Sequence, residues 1–298
     1  NAVPTRVRSG INSGLDVLEC LAASEQPLSL TDIAAALGMA KSSVHQLLQA
    51  LKALDGGQVG VVLKIETLRG FENLPELMLA AMAAPSAGVM IAPPNTLRTD
   101  DQIVGYYQQA VEAIGADVPF VLQDYPLTFS VQMTPGVIRR IVTELPSCAM
   151  LKHEDWPGLE KISALRGFER DGSMRHIAIL CGNNGLFLDF EMARGADGAN
   201  TGYAFPDMLC DVVRLSQQGE REAAHDLFDA HLPLLRYEQQ PGIGLAVRKY
   251  LLHRRGLLGS PALRAPAAKL NATGRAEVEH LLKRLSRHDP RATLASAS

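Results

Sequence analysis

A lysine that closes an apolar run is the residue of this sequence best suited to covalent chemistry. Lys152 ends the run CAMLK at 148–152. Because removal from water disfavours the ammonium ion, we expect this setting to lower the pKa of Lys152 and to favour the neutral amine. A neutral amine can attack a ketone and form a Schiff base. The alternative is a lysine without a chemical role that pairs with Glu154 or Asp155.

A tyrosine closes the apolar run that precedes this one. Tyr125 ends the run 119–125 and is followed by Pro126. Tyr125 and Lys152 therefore end two successive predicted strands, and they are the two anchors of one candidate active site.

Short apolar runs alternate with helical patterns through most of the chain. The predicted strands are 59–66, 87–92, 119–125, 148–152, 176–181 and 198–202. This alternation predicts an α/β fold with a parallel sheet, usually a barrel. A closed barrel of that kind has eight strands. We therefore expect an incomplete (β/α) TIM-type barrel of about six strands, preceded by an all-α segment.

Composition excludes several classes of protein. The 298 residues are 47% hydrophobic and 20% charged, as in ordinary globular proteins with a large core. A net charge of −3 gives no general case for binding nucleic acid or a membrane surface. The four cysteines lack the spacing of metal ligands, so we expect reduced thiols, a cytoplasmic location and neither metal nor cofactor.

The segment 1–54 has helical patterns with a short turn at Gly38, which is a helix-turn-helix layout. It resembles the DNA-binding domain of IclR-type transcription regulators, whose third helix enters the major groove. The residues that this resemblance implies at DNA are Lys41, Ser42, Ser43, His45 and Gln46. Because the segment carries as many acidic as basic side chains, we expect DNA binding to be weak.

The segment 59–92 contains VGVVLKIE, a strand that ends in Lys64 and Glu66. It resembles pyruvate-kinase-like barrels, in which a K-I-E strand supplies a lysine and a metal-binding glutamate. The R-G-D of that family, which supplies a second ligand, is replaced by Pro-Pro-Asn at 93–95. One carboxylate holds Mg²⁺ poorly, so a strand end with a Lys64–Glu66 salt bridge is the expectation.

The longest resemblance covers about 88–290. Its motifs are GVMIAPPN, PFVLQDYP, CAMLKHED, HIAILCGNNG and ADGANTGYAFP, followed by C-terminal helices. Their order resembles the dihydrodipicolinate synthase / N-acetylneuraminate lyase family of class I lyases. The resemblance implies that Lys152 forms the Schiff base and that Gly182 and Asn200 contact the bound keto acid. The family's tyrosine, which relays protons, falls at Gln123. Tyr125 lies two residues later on the same strand face and nearer the C-terminal end, where barrel enzymes carry catalytic groups, so we predict that it substitutes as the second catalytic residue.

Two departures from that family bear on function. The arginine with which its synthases hold a second carboxylate falls at Thr128, which favours pyruvate or a 2-keto-3-deoxy sugar acid as substrate of an aldolase or dehydratase. The family's first strands and its T-T-G-E carboxylate loop have no counterpart, which argues against activity. The resemblance also allows a homo-oligomer, and no membrane partner is expected.

Four segments follow from these patterns: a helix-turn-helix at 1–54, a joining segment at 55–92, a partial barrel with C-terminal helices at 93–290 and a disordered tail at 291–298. Such a mosaic leaves three interpretations open: a Schiff-base lyase, a DNA-binding regulator and a non-functional chimera. The basic cluster 248–255 is predicted to be a solvated helix face.

Overall fold

A computed structural model describes residues 61–65, 86–156 and 158–294, together with the single helical residue Ala35. The predicted helix-turn-helix with its DNA-contacting residues lies outside the described residues, as does Glu66. Those DNA-contacting residues are Lys41, Ser42, Ser43, His45 and Gln46. The chain divides into two compact units, residues 1–149 and 150–298, which are described in turn.

The first unit contains parallel strands connected by helices. The strands among its described residues are β1 (Val61–Ile65), β2 (Ser86–Ile91) and β3 (Phe120–Asp124), and the helices numbered here are α1 (Asp100–Ile114), α2 (Pro126–Phe129) and α3 (Pro135–Glu144). β2 pairs with β1 on one side and β3 on the other, both in parallel. All five residues of β3 are buried, including the polar Gln123 and Asp124 at its C-terminal end.

Side-chain caps fix where two helices of this unit begin. Thr99 and Gln102 form a capping box at α1, in which each side chain accepts the other's backbone N–H. The Thr134 hydroxyl accepts the N–H of Val137 at the start of α3. The buried Tyr107 of α1 donates from its hydroxyl to the carbonyl of Ile91, 3.3 Å away. The Tyr107 hydrogen bond therefore attaches α1 to the end of β2.

The second unit repeats the alternation of strand and helix. Its elements are β4 (Cys148–His153, which begins in the first unit), α4 (Leu159–Arg170), β5 (Ala178–Cys181), α5 (Leu188–Ala193), β6 (Gly198–Ala199), α6 (Pro206–Gln217), α7 (Arg221–Glu238), α8 (Gly244–Arg254) and α9 (Ala272–Leu285). β5 pairs in parallel with β4 and with β6. The described residues therefore contain six strands, the number and nearly the positions predicted from sequence.

The core of the second unit lies among α5–α9 and the loop that follows β6. Its fully buried members include Phe205, Met208, Val212, Leu235, Val247, Leu251 and Val278. These residues recur at helical spacing, so each helix turns one apolar face inward. The last strand is shorter than predicted, because it ends at Ala199 and not at residue 202.

A short C-terminal turn is bound to this core by a buried polar network. Pro290–Ala292 form one turn of 3-10 helix at the start of the predicted tail, and residues 295–298 lie outside the described residues. Nε2 of His231 lies 2.8 Å from Oδ2 of Asp289, and Nδ1 lies 3.1 Å from the Tyr203 hydroxyl. His231 is therefore the link between the turn and the loop after β6.

Two findings restrict what the described residues can do. None of their helices is long and apolar enough to cross a membrane. They also contain no group of three or more His, Cys, Asp or Glu side chains placed to hold a metal ion.

Candidate active site

Lys152 lies one residue before the end of β4, with its amine beside a carboxylate. Nζ is 3.1 Å from Oε1 of Glu154, and the two side chains are 14% and 8% exposed. Asp155, the other predicted partner, binds Nζ of Lys161 at 2.7 Å instead. The ion pair with Glu154 that the alternative interpretation predicted is therefore present, and it lies near the C-terminal end of a strand, where barrel enzymes carry their catalytic groups.

Gly182 lies directly after β5 and packs against the side chain of Glu154. Its N–H donates to the carbonyl of His153 at 2.7 Å, which extends the pairing of β4 and β5. A Cβ at this position would overlap Cγ of Glu154. Glycine is therefore required for the backbone to come close to the carboxylate beside Lys152.

Gly182→Ala is expected to displace Glu154 and lower the rate of any reaction at Lys152 by about 10-fold or more, since small misplacements of catalytic groups have large effects. The measurement is the rate constant of that reaction, compared with Gly172→Ala. Gly172 has no neighbour that a Cβ would meet but has φ +78°, so its substitution strains the backbone without touching the site. Equal rates in the two variants would contradict the expected role of Gly182.

The loop after β5 has an unusual backbone conformation. Asn183 and Asn184 have φ values of 50° and 56°, and Gly185 follows with 71°. Left-handed backbone is uncommon for residues other than glycine, and asparagine is among those that tolerate it best. Nδ2 of Asn183 donates to the carbonyl of Glu154 at 2.7 Å, which connects this loop to the end of β4.

Asn200, the predicted substrate contact after β6, has an exposed side chain. Its N–H donates to the carbonyl of Cys181 at 2.9 Å, so it continues the pairing of β5 and β6 by one residue. The structure thus places Lys152, Gly182 and Asn200 at the C-terminal ends of three successive paired strands.

Tyr125 lies in the first unit, immediately after β3. It is half-buried, and its carbonyl accepts the N–H groups of Thr128 and Phe129 in the first turn of α2. The rings of Tyr125 and Phe129 meet edge to face with centroids 6.1 Å apart. Its position at the C-terminal end of a strand agrees with the prediction, and Gln123 is buried within the strand.

The opposite face of β4 carries a buried polar cluster. Nδ1 of His153 lies 2.9 Å from Oε1 of Glu191, and the His153 ring is fully buried. Cys181, the neighbour of His153 on β5, is also buried. Burial, followed by the charge of Glu191, raises the pKa of the Cys181 thiol well above its usual value. This thiol is therefore protonated and unsuited to act as a nucleophile.

Sequence reasoning missed two residues that contact the strand end and loops near the lysine. Asn183 and Arg248 were not predicted to belong to the site, although Arg248 contacts the loops after β5 and β6. Arg248 lies on α8, in the basic cluster predicted to be solvated. No local pattern in the sequence indicates these contacts, because the partners are separated by 46 and 64 residues.

Solved structures share this fold over nearly the whole chain. A crystal structure of dihydrodipicolinate synthase from Rhodopseudomonas palustris is 53% identical, with a TM-score of 0.75 over 93% of this chain and 91% of that one. A putative dihydrodipicolinate synthetase from Pseudomonas aeruginosa is 23% identical, with a TM-score of 0.67 over 93% and 92% of the two chains. The fold is therefore an α/β barrel type, incomplete in having six strands among the described residues.

A curated relative has a named activity. L-2-keto-3-deoxyarabonate dehydratase from Azospirillum brasilense is 29% identical over 211 residues, which are 70% of this chain and 66% of that protein. This chain thus spans just under two thirds of the length of that relative.

Two family models match the sequence. The IclR helix-turn-helix domain matches residues 12–55, which confirms the predicted segment of that type. The other match runs from 45 to 285, so it begins well before 88 and passes through the segment compared with pyruvate kinase, a comparison that finds no support. On this match, the chain belongs to the dihydrodipicolinate synthetase family.

Proposed function

We propose that this chain is a class I lyase in which Lys152 forms a Schiff base with a small 2-keto acid. The observation that carries the proposal is the place of Lys152 near the C-terminal end of β4, with Gly182 and Asn200 directly after the next two paired strands, β5 and β6. The proposed substrates are pyruvate or a 2-keto-3-deoxy sugar acid, and the reaction is that of an aldolase or dehydratase. The named activity of the curated relative supports a dehydratase that acts on a 2-keto-3-deoxy sugar acid.

The proposed chemistry begins with a proton transfer within the ion pair. Glu154 takes a proton from the ammonium of Lys152, and the free amine attacks C2 of the keto acid. The N–C2 bond forms as the C=O electron pair moves to oxygen. Glu154 returns this proton to the oxygen, then takes a second proton from the nitrogen and delivers it to the same oxygen, which leaves as water while an iminium ion with one N–H remains.

The iminium ion then withdraws electrons from C3 of the substrate. In a dehydratase, C3 loses a proton and the C4 hydroxyl leaves as water. In an aldolase, the C3–C4 bond breaks while the C4 hydroxyl loses its proton. We assign the proton transfers at these atoms to Tyr125, and contacts with the bound acid to Gly182 and Asn200.

Reduction with borohydride in the presence of pyruvate tests the proposal. Hydride adds to C2 of the iminium and leaves a carboxyethyl group on the lysine nitrogen, which is stable to digestion. We expect this mass on the peptide that carries Lys152. Lys161, buried and paired with Asp155, is the internal control and should stay unmodified. Absence of the adduct, or equal labelling of both lysines, would contradict the Schiff-base assignment.

The two reaction types are separated by their products. A racemic 2-keto-3-deoxypentonate would release pyruvate in an aldolase reaction, whereas a dehydratase would form a 2-keto acid that retains all the carbons. Mass spectrometry of the products distinguishes the two. Assembly into a homo-oligomer stays a prediction, which light scattering of the purified chain would test.

A second candidate function is DNA binding, which the match of residues 12–55 favours. We propose that the residues at DNA are Lys41, Ser42, Ser43, His45 and Gln46. Because the segment 1–54 has no net charge, binding is expected to be weak and strongly dependent on salt.

Gel-shift titrations at several salt concentrations test this function. Lys41→Ala is expected to weaken binding and lower the slope of log K against log salt by about 1, as for loss of one phosphate contact. His45→Ala should also weaken binding. Lys52→Ala, in the same predicted helix but outside the proposed contact set, is the matched control. No salt-dependent shift with fragmented genomic DNA would exclude DNA binding.

A further inference from the structure

Arg248 lies at the ends of two strands although it belongs to a helix much later in the chain. Its Nη2 donates to Oδ1 of Asn184 at 2.7 Å and to the carbonyl of Gly202 at 3.1 Å. Asn184 belongs to the loop after β5, and Gly202 to the loop after β6. One guanidinium therefore connects the two loops in which Gly182 and Asn200 lie.

A buried carboxylate holds this guanidinium in place. Glu238, at the end of α7, is fully buried and pairs with Nε of Arg248. Its other oxygen accepts the N–H of Ala204 at 3.0 Å, so the pair binds the loop after β6 at a second point. Gly202 permits the close approach, because a Cβ there would overlap Nη1 of Arg248. The guanidinium therefore has three fixed partners: the Glu238 carboxylate, the Asn184 side chain and the Gly202 carbonyl.

The loop after β5 needs such partners because its backbone is strained. Left-handed conformations of residues other than glycine cost on the order of 1 kcal/mol each, and Asn183 and Asn184 adopt them in succession. Arg248 binds the second of these residues, and Asn183 binds the carbonyl of Glu154. The conformation is therefore held from α8 on one side and from the end of β4 on the other.

We propose that Arg248 is a positioning residue for chemistry at Lys152. It acts through the loop 182–184, in which Asn184 accepts from Arg248, Asn183 donates to the carbonyl of Glu154, and Gly182 lies against the side chain of Glu154. Arg248 itself has no part in the bond-making steps. This inference rests on the proposed Schiff-base function, since it assigns to Arg248 the geometry of the Glu154–Lys152 pair.

The test compares rates of borohydride trapping by pyruvate in the full chain. Arg248→Met should lower the trapping rate by about 10-fold or more, as expected for a displaced proton acceptor. Arg248→Lys, which retains the charge, should recover part of this loss. Because Arg248→Met leaves Glu238 buried without its cation, Arg248→Met/Glu238→Gln provides a variant without that unpaired charge.

Two further variants address the route through the loop. Asn184→Gly places a residue that tolerates the left-handed backbone at this position, but it removes the side-chain oxygen that accepts the hydrogen bond of Arg248. This variant should also slow trapping. Combining Arg248→Met with Glu154→Gln should give no further loss beyond Glu154→Gln alone, because a residue that acts only through Glu154 has no effect once that carboxylate is gone. Arg254→Met is the control. Arg254 lies on the same helix as Arg248, but its guanidinium binds Glu279 of α9.

The outcomes separate this inference from the function on which it rests. A slow Arg248→Met with a normal Arg254→Met and no additional loss in the Glu154→Gln background would support positioning. Trapping at the wild-type rate in Arg248→Met/Glu238→Gln and Asn184→Gly overturns the inference but leaves the Schiff-base function standing. Independent losses from Arg248→Met and Glu154→Gln overturn it as well. No trapping by the wild-type chain overturns both.

Discussion

Lys152→Met is expected to abolish pyruvate trapping and to lower turnover by at least about 10³-fold, because it removes the amine that is proposed to form the covalent intermediate. Residual activity would come only from binding and orientation of the substrate. Turnover of a 2-keto-3-deoxy sugar acid and mass analysis after borohydride reduction measure the two effects.

The comparison needs a variant in which Glu154 is not left as a buried carboxylate without its cation. Lys152→Met leaves the Glu154 carboxylate, 8% exposed, without its ion pair, and such a loss destabilises folded proteins. Lys152→Met/Glu154→Gln removes both charges and should melt closer to the wild type. Lys152→Arg retains the cation but cannot form a Schiff base. Turnover by Lys152→Arg within 10-fold of wild type, an allowance chosen for assay error, would contradict the assignment.

Asp289→Ala is expected to lower the free energy of unfolding by about 3 kcal/mol, because it removes one member of a buried network. Asp289 accepts hydrogen bonds from His231 and from Arg291, each at 2.8 Å. Without it, Nε2 of His231 lies fully buried and loses its acceptor. Denaturant titration at neutral pH measures the effect.

The contribution of Asp289 should disappear in acid. Burial by itself raises its pKa, but hydrogen bonds from Arg291 and His231 outweigh this and bring the pKa from 3.8 to about 2. A carboxyl group with a lowered pKa stabilises the fold above its unfolded pKa and loses this effect as the pH falls. The difference between wild type and Asp289→Asn should therefore be full above pH 3.8 and shrink towards pH 2.

Asp211→Ala is the matched control for the acidic network. Asp211 also binds Arg291 at 2.8 Å, but its side chain is 36% exposed. Exposed ion pairs contribute at most about 1 kcal/mol. A loss in Asp211→Ala as large as that in Asp289→Ala would show that burial of the network is not what stabilises the C-terminal turn.

The sequence predicts strands well here because their apolar pattern is a local property. The runs 119–125 and 148–152 became strands at 120–124 and 148–153. Parallel strands are buried on both faces, so most of their residues are apolar whatever their partners, although both of these strands end in polar side chains. The run 198–202 behaves differently: its strand stops at Ala199, and the loop beyond it is bound by side chains of α7 and α8.

The same contrast holds for the candidate site. The position of Lys152 at a strand end follows from the residues beside it, but its partner does not. Glu154 and Asp155 lie two and three residues after Lys152, and only the structure shows that Asp155 binds Lys161 instead. The role of Arg248 depends on hydrogen bonds to residues 46 and 64 positions away in the chain. Neither composition nor periodicity indicates such contacts.

The contact between Gly182 and Glu154 also constrains how this family can vary. No side chain can be added at 182 while a long one occupies 154, because both would fill the same space. Relatives that carry a larger residue at the first position should therefore have a small one at the second, and the two positions should change together. A family alignment would then show their coupling, and would mark the relatives in which a different group accompanies the lysine.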